Sequence, residues 1–259
     1  SMDDMKELGI EITAQDIYNL QQSSLKDAIV IFGRGCTGEI ISDQGLVLTN
    51  HHCGYDAIQY HSSVNYDYLK NGFWAQSFDE ELPTPDLSVR FLEKIEDVTQ
   101  EITASLSPIM TESERNTAIE EAMMDLEDSL EQENKYTSTS IRSFYENTMF
   151  YLMVYKEYPD VRFVGAPPSS IGKYGADTDN WTWPRHTGDF SLFRVYADSL
   201  GEPAEYSKNN IPLKPDKSLK ISLNGYEEGD FSMILGFPGS TQRYAISHEI
   251  KETMEVVNE

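Results

Sequence analysis

Chemistry-bearing side chains crowd into one short stretch, "LVLTNHHCGYDAIQYH", residues 46–61. It holds His51, His52, Cys53 and His61, and Cys36 is the only other cysteine in the chain. Histidine and cysteine together can bind a metal, supply a general base beside a disulfide, or simply close a strand. Adjacent histidines on a strand point to opposite faces, so one ion rarely takes both. No ligand pair here has the spacing of a zinc ribbon or of an HExxH helix, and no metal is expected. A base and a polar strand end both stay open at this point. For Cys36 and Cys53, two buried free thiols are the plainer reading, and it stays open too.

These residues need elements to position them. "TAQDIYNLQQ" (13–22) has a helical period with Thr13 as N-cap. Short β-type runs follow at 27–33, 36–42 and 45–50, the last two joined by the turn signal "SDQG". "DLSVRFLEKI" (86–95) is a further strand. In "TESERNTAIEEAMMDLEDSLEQEN", Ile119, Met123, Leu126 and Leu130 recur at helical spacing against an acidic face, so a helical insertion is expected over about 99–135. Strands resume at 150–155, 161–166, 189–196, 218–223 and 231–239, and a helix begins near Ser240. Eight or nine strands without strand–helix–strand alternation argue for an antiparallel barrel or sandwich with a helical insertion.

Composition narrows the partners. The chain has 259 residues, 44 acidic against 20 basic, for a net charge of -24. That charge argues against nucleic acid and anionic membrane surfaces. No run of eighteen apolar residues offers a membrane span. The opening "SMDDMKELGI" lacks the pattern of an export signal, so any such signal is expected to have been removed. "STQRYAISHEIKETMEVVNE" reads as a helix with no stop signal, and the chain is expected to be part of a longer protein.

One further pattern bears on the histidines. "TNHHC" resembles the Thr-x-x-His-Cys strand end of two-barrel serine proteases, with His52 as the base. That resemblance implies a disulfide from Cys53 to Cys36, seventeen residues earlier, which would hold the turn carrying His52. It also implies a carboxylate from a later strand to orient the imidazole. Asp189 in "WPRHTGDFSLFRVY" is so placed, although a turn or strand cap would equally explain it. Asp230 has a similar setting, but its stretch resembles the approach to a second barrel. Neither Gly-x-Ser-Gly nor Gly-x-Ser-x-Gly occurs, so the nucleophile is expected beyond residue 259.

"GCTGEIISDQGLVLTNHHCGY", "GAPPSSIGKYGADTDNWTWPRHTGDFSLFRVYAD" and "LGFPGSTQRY" closely resemble the bacterial serine dipeptidyl-peptidases, a family that includes dipeptidyl-peptidase 7 and the acidic-residue-specific dipeptidyl-peptidase 11. The resemblance runs from about residue 6 to the end. It implies a chymotrypsin-like double β-barrel with a helical cap domain: residues 1–239 as the first part of the catalytic domain and 240–259 as the start of the cap. It implies His52 and Asp189 as catalytic residues, and Asn180 and Trp181 as the anchor for a substrate's free N-terminus. It further implies oligopeptide substrates, no cofactor, a homodimer at full length, and a periplasmic or cell-surface location. Asp56, Ala176 and Thr182 depart from the family pattern, where Gly, Gly and Met are expected. The competing expectation is a non-catalytic peptide-binding or scaffold relative that ends near residue 259.

Overall fold

The structure, a computed structural model, describes residues 2–131, 135–145, 147–176, 178, 182–239 and 245–257. Helix α1 (Met2–Glu7) and the single turn α2 (Ala14–Ile17) open the chain. Thr13 caps α2 as expected: its hydroxyl accepts from the Asp16 N–H at 3.2 Å, and the Asp16 carboxylate accepts from the Thr13 N–H at 2.8 Å. The helix stops well short of residue 22. Tyr18 turns extended because its hydroxyl is drawn into the body of the protein, where it accepts from the Ile95 N–H at 2.8 Å. Asn19 then accepts from the Gln21 and Gln22 N–H groups, a local turn that competes with helix.

Strands β1 (Ile29–Phe32), β2 (Cys36–Ile40) and β3 (Leu46–Thr49) form a meander. Short helices α3 (Tyr55–His61) and α4 (Tyr68–Asn71) follow, then β4 (Phe73–Trp74), β5 (Leu82–Pro83) and β6 (Val89–Asp97). Helices α5 (Thr99–Thr103) and α6 (Glu112–Glu131) precede the long hairpin β7 (Thr137–Phe144) and β8 (Met149–Tyr158). β9 (Val161–Ala166), α7 (Ser169–Gly172), β10 (Ser191–Ala197), β11 (Ile211–Pro212) and α8 (Ser247–Glu252) complete the described strands and α-helices.

Every strand pairing is antiparallel, in the order β4-β9-β10-β3-β2-β1-β6-β8-β7, with β11 on β10 and β5 on β9. The sheet curls upon one core. Phe193 of β10 meets Phe32 of β1 at 4.7 Å between ring centroids and Phe163 of β9 at 5.3 Å, although β1 and β10 are not neighbours in the ladder. Val30, Ile40, Val47 and Val195 fill the same cluster. The fold is mainly β with helical insertions, the class expected of a chymotrypsin-like barrel.

A second cluster lies under the inserted helices, where Ile102, Ile119, Ile141, Phe150 and Leu152 are buried. Met123, Leu126 and Leu130 of α6 pack against it, which is the apolar stripe read from the sequence. Strand β7 carried no such signal, since "TSTSIRSF" is nearly all polar outside Ile141 and Phe144.

The two strands expected at 218–223 and 231–239 do not form. Each segment touches β2 through one hydrogen bond, Leu219 N–H to the Ile40 carbonyl at 2.8 Å and Phe237 N–H to the Thr37 hydroxyl at 2.9 Å. β2 is already paired with β1 on one side and β3 on the other, so neither segment finds a ladder partner. Ile221, Leu223 and Ile234 stay exposed, despite their strand-like pattern.

Candidate active site

Strand β3 ends at Thr49, whose hydroxyl donates to the Thr37 carbonyl at 2.8 Å. The chain then turns through residues 50–54 into α3, with the Gly54 N–H donating to the Asn50 carbonyl at 3.2 Å. The turn sends its two histidines opposite ways. His51 is buried and His52 projects into solvent.

Strand β10 lies beside β3 with Ser191 opposite Thr49. Antiparallel register therefore carries Asp189, two residues before Ser191, alongside the turn. Its carboxylate takes two bonds from one residue: Oδ1 accepts from the His52 N–H at 3.1 Å, and Oδ2 lies 2.8 Å from His52 Nδ1. An ionised carboxylate can only accept, so this contact puts the proton on Nδ1 and leaves the Nε2 lone pair free. The His52 ring is largely exposed, whereas Asp189 is mostly covered. The outcome is an imidazole held by a carboxylate at Nδ1 and open on its other face, an arrangement able to serve as a general base.

Cys36 and Cys53 are joined in a disulfide across 6.2 Å between Cα atoms. Their sulfurs lie with a His52 nitrogen inside 4.8 Å, the one such His/Cys/Asp/Glu group among the described residues. Oxidised sulfurs offer no thiolate, and the adjacent histidine faces away, so this donor set does not suit a metal. The bond ties the start of β2 to the turn directly beside His52. Closing a loop of this length contributes about 3 kcal/mol by chain entropy. Cys36→Ser is expected to lower the free energy of urea unfolding by about that amount. Equal midpoints for the variant and parent would show the crosslink to be without effect.

His51 and His61 have structural settings. The His51 ring sits against Gly172 of α7, where an added Cβ would come within 2.3 Å of its Cδ2. Burial lowers its pKa against the opposing pull of Asp189 and of a bond to the Pro167 backbone. His61 stacks on Phe163 and meets Tyr60 edge-on, and burial again outweighs a bond to the Pro83 backbone to lower its pKa. Both imidazoles pack against neighbouring groups.

Asn180 and Trp181 lie outside the described residues, as do Asp177 and Asp179. The described residues on either side of them are anchored. The Gly188 N–H donates to the Ile171 carbonyl at 3.0 Å, and the Thr187 hydroxyl donates to the Tyr174 carbonyl at 2.8 Å. Asp189, whose carboxylate contacts His52, follows Gly188 directly. Asp230 lies elsewhere in a local turn, accepting from the Glu227 N–H at 2.8 Å.

The family model for Peptidase S46 matches residues 1–259. The chain belongs to the peptidase S46 family. It is 54% identical over 261 residues to "Dipeptidyl-peptidase 7" of Phocaeicola vulgatus, covering 99% of this chain and 36% of that protein. It is 50% identical over 260 residues to the "Asp/Glu-specific dipeptidyl-peptidase" of Porphyromonas gingivalis, covering 98% and 36%. The crystal structure of Porphyromonas endodontalis DPP11 in complex with the dipeptide Arg-Asp matches with a TM-score of 0.90 at 47% identity, over 99% of this chain and 38% of that one. The chain thus spans about a third of the length of these S46 relatives. No described helix is long and apolar enough to cross a membrane.

The sequence reading missed Asn50 and Ser191, which bracket the pair. Asn50 stood in plain view inside "TNHHC", but an asparagine at a strand end is ordinary turn chemistry and carried no separate signal.

Proposed function

We propose that this chain is the amino-terminal part of a serine dipeptidyl-peptidase, which removes dipeptides from the free N-terminus of oligopeptides. His52 is the general base and Asp189 its orienting acid. The nucleophilic serine lies in sequence beyond these residues, a reading supported by relatives that are about three times as long. The observation that carries the proposal is the 2.8 Å contact of Asp189 Oδ2 with His52 Nδ1, beneath an imidazole otherwise open to solvent.

In the acylation step the serine oxygen attacks the substrate carbonyl as its proton passes to His52 Nε2. The resulting imidazolium is stabilised by Asp189 through Nδ1–H. Collapse of the tetrahedral intermediate breaks the amide bond, and Nε2 returns the proton to the departing amine. Water repeats the sequence to release the dipeptide. Residues 1–239 contribute the catalytic domain's first part and 240–259 begin a helical cap. Asn180 and Trp181 hold the substrate's ammonium group, which fixes the distance from the N-terminus to the scissile bond at two residues. The protein is exported, acts on oligopeptides in the periplasm or at the cell surface, and is a homodimer at full length.

Blocking the substrate's amine tests this reading. A full-length protein carrying these residues should release dipeptides from an unblocked peptide. It should cleave the N-acetylated peptide about a thousandfold more slowly or worse, because an anchor built for the ammonium is left unpaired. Equal cleavage of both peptides would rule out N-terminal anchoring. Peptide binding without any cleavage would favour a scaffold instead.

A further inference from the structure

Asp189 receives a second side chain besides His52. The Asn50 amide nitrogen lies 3.2 Å from the Asp189 carbonyl oxygen and 3.3 Å from its Oδ2, the oxygen that faces His52 Nδ1. Both partners are pure acceptors, so the nitrogen end of the amide must face them. Asn50 is itself held from behind. Its carbonyl accepts from the Ser191 hydroxyl at 2.8 Å as well as from the Gly54 N–H. Ser191 is fully buried, and a Cβ on Gly54 would come within 2.7 Å of its hydroxyl. One amide thus joins the main chain and the side chain of Asp189 and leaves its carboxylate little freedom to swing from the imidazole.

We infer that Asn50 is a positioning residue of the hydrolytic reaction, a donor that clamps the Asp189 carboxylate in the orientation His52 requires. The inference rests on the catalytic reading of His52 and Asp189. Asn50 reaches the substrate only through that pair, so its loss should lower kcat and leave KM nearly unchanged. A residue that merely shapes the turn would behave differently. Asparagine and aspartate serve turns almost equally well, but aspartate presents only acceptors to a carbonyl and a carboxylate that themselves only accept.

The test uses a full-length protein carrying these residues, with N50A, N50D and H52A compared on one unblocked peptide. N50A should lower kcat by about 10- to 100-fold with KM within about twofold, the scale of a misplaced catalytic group. N50D should lie below N50A, since it replaces a donor by a repelling charge. N50A should keep close to the parent's melting temperature, and both variants should keep the Cys36–Cys53 bond. If N50A does not fold, the isosteric N50D against the parent carries the comparison. Parental kcat in N50D, or equal effects on kcat and KM, would overturn the clamp and leave a turn residue. H52A separates the two levels: an active H52A defeats the catalytic reading itself, whereas an inactive H52A beside fully active Asn50 variants defeats only the clamp.

Discussion

Replacing His52 by alanine in a full-length protein carrying this chain should lower kcat by about 10⁴-fold or more, with little change in KM. The size follows from what the imidazole is asked to do. A serine hydroxyl is a poor nucleophile at neutral pH, and attack requires a base that takes its proton as the new bond forms. His52 is set up for that task by two bonds to one carboxylate, at its backbone N–H and at Nδ1. Asp189→Asn should cost a comparable factor, although it barely changes the shape of the site. An amide can present its NH₂ to Nδ1 and stabilise the tautomer with the proton on Nε2, where it blocks general-base action. Steady-state kinetics on an unblocked peptide would measure both. A His52→Ala protein within tenfold of the parent would show that the base lies elsewhere. A large loss in His52→Ala beside a silent Asp189→Asn would make the 2.8 Å contact incidental.

The elements behind that prediction were unevenly legible. The meander of β1 to β3 could be read because its strands alternate around a clear turn signal and are neighbours in sequence. His52 and Asp189 are 137 residues apart. They were readable only because each sits in a distinctive local string. The register that joins them, Ser191 opposite Thr49, is a property of the folded sheet. Strands β4, β5 and β11 have two residues each, too short for any period, and exist only because β9 and β10 offer them edges. The reverse error occurred at 218–223 and 231–239, where apolar alternation was present and a partner strand was not. Pattern specifies which face a strand would bury, but hydrogen bonding to a neighbour decides whether it is a strand.

A buried charge network behind the site had no sequence signal at all, and Glu81→Ala should expose its importance as a stability loss of about 3–5 kcal/mol. Glu81 is buried on the outer side of β10, directly after the short turn 78–80. Its Oε1 accepts from Arg194 Nε at 2.8 Å and its Oε2 from the Tyr196 hydroxyl at 2.8 Å. Arg194 also donates to the Gln44 carbonyl at 2.7 Å and lies over the Phe78 ring. Cutting Glu81 to alanine leaves a guanidinium and a phenol buried with one partner fewer each, on the strand that begins two residues after Asp189. Glu81→Gln should cost less, because one oxygen still accepts. The pH dependence has a definite sign. Burial and then the bond and charge of Glu81 push the Tyr196 hydroxyl far above the usual tyrosine range, so the fold favours the neutral phenol. That contribution is fully present below about pH 10, where an unfolded tyrosine begins to ionise, and is lost as pH rises toward the raised value. Urea unfolding at pH 7 and at pH 10.5 or so should therefore show an alkaline loss in the parent. Equal stability of Glu81→Ala and the parent at pH 7 would mean that water reaches Arg194 and Tyr196 in the folded protein, and that the network does not hold β10 in place.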